Sequence, residues 1–181
     1  PNNHIKELKM NLLLAEKLCR HLMKEWDVDP KWEFCWSNGK RQLGCVKQTK
    51  PQFVAKNIVE GKKVINELRL SRHLVRNNDE AEVRDTILHE IAHIKAGHAA
   101  GHGPIWKQWA RKVGARPVRC ADSTQVLMVQ AKYIVVCTMC ETVTRKAHKR
   151  VKLERRYCRR CGVKSSGKLE LRHNPEAGQV K

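Results

Sequence analysis

The chain has 181 residues, 41% of them hydrophobic, and carries 37 Lys and Arg against 18 Asp and Glu, a formal net charge of +19. That size holds one good core, or a core plus a small module, and that apolar share excludes a disordered chain. No apolar run approaches the roughly 20 residues that span a bilayer, which excludes a membrane helix, and the basic excess suits a polyanion such as DNA or RNA.

Pro1, Asn2, Asn3 and His4 open no short apolar region, so no signal peptide is expected. The protein is expected inside the cell, in cytoplasm and nucleoid, in the nucleus, or in a host cell if viral, as a monomer without membrane contact. Eight Cys are present. Four of them form two C-x-x-C pairs, and Cys19, Cys35, Cys45 and Cys120 lie among apolar neighbours. The pattern predicts a metal site plus buried thiols rather than a disulfide framework.

In chain order, Ile5, Leu8, Leu12, Cys19, Leu22, Met23 and Trp26 recur at steps of three and four. They predict an amphipathic helix over residues 4–26, ended by Asp27, Val28, Asp29 and Pro30. Trp32, Phe34 and Trp36 alternate with polar residues, as do Leu43 and Cys45, with Asn38-Gly39 between them. That reads as a β-hairpin over residues 31–49, with Cys35 and Cys45 as small strand residues. Residues 50–61 are a connection. Residues 64–70, with Ile65, Leu68 and Leu70, read as a third strand.

Asn77, Asn78, Asp79 and Glu80 signal a helix start, with Asn78 or Asp79 as the cap. The helix runs to about Ala96. Gly97 and Gly101 then turn the chain, and Pro104 opens another helix with an apolar face of Ile105, Trp106, Trp109, Ala110 and Val113, stopped at Gly114 to Pro117. Residues 118–132 form a crossing segment.

The stretch from His89 to Trp106 carries the strongest chemical signal. His89 and His93 lie one helical turn apart on one face, so both imidazoles can grip one metal ion. Glu90 sits about 100° further round, within reach of a water on that metal. Zinc draws the pKa of such a water down to about 7, and Glu90 is then the general base that takes its proton. A third ligand must follow the Gly turn. The tight Gly101-His102-Gly103-Pro104 corner favours His102, leaving His98 beside the metal without touching it or facing solvent. Trp106 is expected to pack beneath the His102 corner. Chance matches to this motif occur in unrelated helices, but the apolar run Val83, Ile87, Leu88 and Ile91 before it and the Gly turn after it weigh against chance.

Cys137 and Cys140, then a gap of 17 residues, then Cys158 and Cys161 read as a four-thiolate structural zinc ribbon. From Glu141 to Arg172 twelve Lys or Arg face three acids. Arg145, Lys146, Lys149, Arg150, Lys152, Arg155, Arg156, Arg159 and Arg160 are the candidate nucleic-acid contacts, with His148 and Tyr157 as stackers. Residues 173–181 are expected as a flexible tail.

The motif His89-Glu90-x-x-His93, then Gly101, His102, Gly103, Pro104 and Trp106, resembles the SprT-like metalloprotease domain, the family of SprT and Spartan. With the ribbon that family members often carry, the resemblance spans roughly residues 30–165. It implies an α+β fold: a zincin-like domain of small sheet plus active-site helix over residues 1–125, then a basic zinc ribbon over 126–172. It implies that the strand ending Arg69-Leu70-Ser71 forms the sheet edge beside the cleft, where an extended substrate can pair. It also implies one catalytic and one structural Zn2+, and an endopeptidase that cuts proteins bound or crosslinked to DNA, single- or double-stranded, with DNA stimulating activity. A partner-binding tail of the long multidomain members is not expected here.

One rival reading is a nucleic-acid-binding ribbon protein with an idle or structural centre, against which the intact Glu90 speaks. Another is a metal-dependent hydrolase acting on something other than protein.

Overall fold

The computed structural model describes residues 9–49, 53–54, 57–58, 65–119, 127–163 and 166–180, and the backbone alone at 53–54, 57–58 and 98. The chain divides into two compact units, up to Leu127 and from Met128. Among the described residues no helix is long and apolar enough to cross a membrane.

The first unit opens with α1, Leu12–Glu25. Its start is set by Asn11, whose side chain accepts from the Leu13 N–H at 2.7 Å, so the expected helix over 4–26 begins later. Residues 1–8 lie outside the described residues. Ala15, Cys19, Leu22 and Met23 form the buried face. Asp27, in a left-handed conformation at φ 46°, turns the chain away where the sequence predicts a stop.

Strands β1 (Glu33–Ser37) and β2 (Gly44–Gln48) follow, but they do not pair with each other as the expected hairpin. β5 (Asn66–Ser71) lies between them, parallel to β1 and antiparallel to β2. The reason is local as well as global. Neither Asn38 nor Gly39 takes the positive φ that a two-residue hairpin turn needs. The loop from 38 to 43 instead wraps the end of β5: Ser71 donates its hydroxyl to the Gly39 carbonyl at 2.7 Å and its N–H to the Leu43 carbonyl at 2.9 Å. Phe34 and Trp36 thereby stand in register with Leu68 and Leu70 on the face turned to the helices. The connection after β2 shows one small ladder, β3 (Phe53–Val54) with β4 (Asn57–Ile58).

β5 runs straight into α2, Arg72–Asn77, a helix without a sequence-level expectation, with Ser71 as its cap. Asp79 then caps α3, Glu80–Ala96, by accepting from the Glu82 N–H at 2.9 Å. α3 packs against α1, β2 and α4 (Pro104–Val113). Its buried side chains Val83, Ile87 and Ile91 meet Leu22, Leu68 and Leu70 in one core. α4 buries Trp106, Ala110 and Val113 at steps of four and three. Ile105, expected on that face, is 58% exposed, because it sits about 100° round from Trp106. Gly114, at φ 84°, closes α4 in the left-handed cap that a side chain resists.

The second unit is a three-stranded antiparallel sheet in the order β7 (Val143–Ala147), β6 (Tyr133–Cys137), β8 (Leu169–His173). Together with the first unit it makes the fold mixed α+β. The flexible tail expected from residue 173 is corrected here. His173 ends β8 in register with Tyr133, and the chain then turns back. Buried Asn174 donates its side-chain amide to the Ala131 carbonyl at 2.7 Å and its N–H to the Lys132 carbonyl at 2.9 Å, while Val180 bridges Val129. One amide anchors the segment that its polar composition suggests is loose.

Candidate metal centres

α3 presents His89, Glu90 and His93 from its final turns, and Gly97 at φ 81° ends it. A short 3-10 turn over His98–Ala100 and Gly101 at φ 51° reverse the chain, so that His102 faces back toward the helix. These glycines take conformations that Cβ-bearing residues avoid. The His102 Nε2 lies 3.1 Å from the Nε2 of His93 and 3.2 Å from that of His89. A tetrahedral zinc with nitrogens at about 2.0–2.1 Å spaces them about 3.3–3.4 Å apart, so the donor set fits one such ion. The structure thus brings His89, His93 and His102 into one cluster of possible metal ligands. Only the backbone of His98 is described, so its alternative role falls outside these observations.

Trp106, fully buried, lies under all three imidazoles, with ring centroids 4.7, 5.2 and 4.6 Å from those of His89, His93 and His102. It holds the rings from below. Burial, then the neighbouring His102, and against them the opposing charge of Asp85, leave His89 down at about 4. It is therefore neutral at pH 7, the form that binds a metal. Burial and Arg119 also lower His102.

Glu90 is 6% exposed. Burial pushes its carboxyl up to about 8, opposed by a hydrogen bond from the backbone of Val46. That bond follows from strand parity. Leu43 and Thr49 bond to β5 neighbours, so the odd positions of β2 face β5, while Gly44, Val46 and Gln48 turn their backbone groups outward. The outward edge of β2 meets Glu90. Gly44 makes the approach possible: a Cβ there would lie 2.9 Å from Glu90 Cγ, 3.0 Å from its Oε1 and 3.0 Å from Thr86 Cγ2. The sequence reading passes over Gly44, whose role depends on a strand and a helix far apart in the chain. It also places the edge strand wrongly. β5, expected at the edge beside the cleft, is the central strand, and β2 is the edge against α3.

In the second unit, Cys137 ends β6 and Cys140 lies in the turn after it, and Cys158 and Cys161 lie on the return turn. Two Sγ–Sγ separations, Cys137 to Cys161 and Cys140 to Cys158, are 3.8 Å each. A disulfide is excluded at that distance. A tetrahedral zinc with Zn–S of about 2.3 Å has an edge of about 3.8 Å, so the four thiols fit a zinc ribbon. The hydroxyl and N–H of Thr142 draw the Cys140 thiol down to about 6, and the hydrogen bond to Cys140, then burial, hold the Cys161 thiol up. Gly167 was missed at the level of sequence. A Cβ there would lie 2.6 Å from Cys161 Cβ, so the ribbon closes only over a glycine.

The other thiols divide by place. Cys19 is fully buried, and its thiol is pushed up to about 12. Cys35 and Cys45 are half-buried and flank Arg69 across the outer face of the sheet. Cys120 lies outside the described residues.

Arg145 and Lys146 stand on β7, Lys149, Arg150, Lys152, Arg155 and Arg156 on the loop after it, and Arg159 and Arg160 within the second Cys pair; all nine are exposed. Among the described residues none of the nine pairs with an acid, whereas Arg172 is held by Glu141 and Glu170. Tyr157 is 39% exposed, and His148 is half-buried.

Two histidines of α3 with His102 from the following turn and an adjoining acid, and a separate four-thiol cluster, give the described residues two groups that could each hold a metal ion. The chain belongs to the SprT-like family, whose model matches residues 14–126. It is 36% identical over 106 residues to Protein SprT of Pseudomonas entomophila, covering 53% of this chain and 65% of that protein. It is 30% identical over 105 residues to Protein SprT of Vibrio atlanticus, covering 54% and 63%. A stretch of 88 residues is 28% identical to the germ cell nuclear acidic-1 protein of Caenorhabditis elegans, covering 44% of this chain and 16% of that protein. The matched stretch thus spans less than two thirds of the length of these relatives.

Proposed function

We propose that the chain is a zinc-dependent endopeptidase that cuts proteins bound or crosslinked to DNA. The observation that carries this reading is Glu90, a buried carboxyl on the same helix as two of three convergent imidazole nitrogens. A structural metal site has no use for such an acid. His89, His93 and His102 would hold the ion, which when bound supplies Lewis acidity at the point where the three nitrogens meet. The remaining work falls to the protein. With a cation held by the three imidazoles, the Glu90 carboxyl would be drawn back down from about 8. In that ionised form Glu90 takes a proton from the attacking water and returns it to the leaving nitrogen. The Val46 N–H fixes the direction of that carboxyl, and Trp106 fixes the imidazoles. The outward backbone groups of Gly44 and Gln48 offer an extended peptide an edge to pair with. The exposed cations of the ribbon supply the attraction to DNA.

The test is cleavage of a DNA-binding protein with and without DNA by wild type and Glu90→Gln, with zinc measured on the same samples. The expected result is DNA-dependent cleavage that falls about 100-fold or more in the variant, the usual contribution of a general base, with the zinc content unchanged. Equal inertness of both proteins, with tight DNA binding retained, would favour the idle-centre reading instead.

A further inference from the structure

The loop between β1 and β2 borders a half-open hollow of about 450 Å³ whose lining includes none of the three histidines. Ser37, Lys40, Arg41, Gly44, Arg69 and Ser71 are among its lining residues, and no carboxylate is. Lys40 and Arg41 have no acidic partner among the described residues. Arg69 is tied to Glu67, which fixes its position. The loop itself is tethered at three points. The Gly39 N–H donates to Ser37 Oγ at 2.9 Å, Ser71 Oγ donates to the Gly39 carbonyl, and Arg72 Nη1 donates to Asn38 Oδ1 at 3.2 Å. The positive field extends onto α2, where burial, then Lys40 and Arg76, hold His73 below its ordinary value.

Glu67 offsets Arg69, but the adjacent cations Lys40 and Arg41 repel each other beside the concavity, and an anion seated there relieves that repulsion. The volume falls in the range of about 300–1,000 Å³ of small-ligand sites, which is room for a phosphate with its sugar. We propose that this hollow seats a backbone phosphate of a nucleic-acid strand, giving the histidine-bearing unit its own contact with nucleic acid. The proposal rests on the nucleic-acid reading above. Gly44 lines the hollow and also abuts Glu90, so the phosphate seat and the proposed base share one strand.

The experiment measures binding of a single-stranded thymidine oligonucleotide to the full chain as a function of salt. Wild type is compared with Lys40→Gln/Arg41→Gln and with Lys17→Gln/Lys24→Gln, an equal charge change on exposed positions of α1. A second arm places photoreactive thymidines in the oligonucleotide and maps the crosslinked peptides. The magnitude of the slope of log K against log salt is expected to fall by about 0.7 for the loop pair, the share of one seated phosphate on a single strand, and to hold for the α1 pair. Crosslinks are expected in residues 37–45. Equal slopes for wild type and the loop variant, or equal losses in both variants, overturn the hollow as a seat while leaving the ribbon as the binding element. A wild type that retains no oligonucleotide overturns the nucleic-acid reading itself, and this proposal with it.

Discussion

Gly44 is the residue on which the site depends most and which carries no chemistry of its own. Its missing side chain lets the edge of β2 close on Glu90 and Thr86. Gly44→Ala forces a methyl into contacts that real Cβ atoms do not make, and overpacking of this kind costs about 1–3 kcal/mol. The expected outcome is a lower unfolding midpoint and slower peptide cleavage, with zinc still bound, because the histidines lie on other elements. Denaturant unfolding, zinc analysis and a cleavage assay on one preparation check it. A variant with wild-type stability and rate would mean that the Glu90 side chain swings aside at no cost. At this scale the histidine cluster is legible in the sequence, since His89, His93 and His102 meet through spacings that one helix and its following turn impose, as is the short spacing within each Cys pair. Gly44 and Gly167 are not legible. Each is demanded by a neighbour brought up from elsewhere in the chain, and a lone glycine in sequence does not name its neighbour.

At the scale of elements, the caps and stops were readable: Asp79 before α3, Pro104 at the start of α4 and Gly114 at its end. The sheet order was not. Alternation reports strand character within 31–49, but both strands pair with β5, which arrives from later in the chain and takes a backbone edge of each. α1 shows how a layer depends on its buried face. Cys19 sits at the centre of that face, and its thiol ionises near 12 in the folded chain against 9 when free. The raised value means that the unfolded chain gains from alkali first. Stability tied to this thiol is whole below about pH 9 and drains as the pH climbs toward 12. Urea midpoints measured across that interval should fall less steeply for Cys19→Ala than for wild type. Parallel curves for the two proteins would place the alkaline loss in other groups.

At the scale of the whole molecule, the two units differ in what holds them. The first has a broad apolar core reaching from Met10 to Ala115. Among its described residues the second buries few apolar side chains, Val135, Val136 and Ala147 among them, beside the cluster of four thiols. A unit with so small a core needs a metal to fold. Chelation, or Cys137→Ser, is expected to abolish the thermal transition of the second unit while leaving that of the first nearly in place. Scanning calorimetry with zinc analysis would read this directly. A single transition lost as a whole would show that the units fold as one.

The parity of β2 sets a limit on how the chain can vary over evolutionary time. A strand repeats every two residues, so adding or deleting one residue in the 38–43 loop slides the whole edge by half a period. After a deletion Cys45, or after an insertion Leu43, would stand where Gly44 stands, with a side chain in the space that Glu90 occupies, and the groups now facing outward would turn toward β5. Relatives that keep the acid of the motif should therefore differ in the length of this loop by even steps, or carry a compensating bulge in the strand.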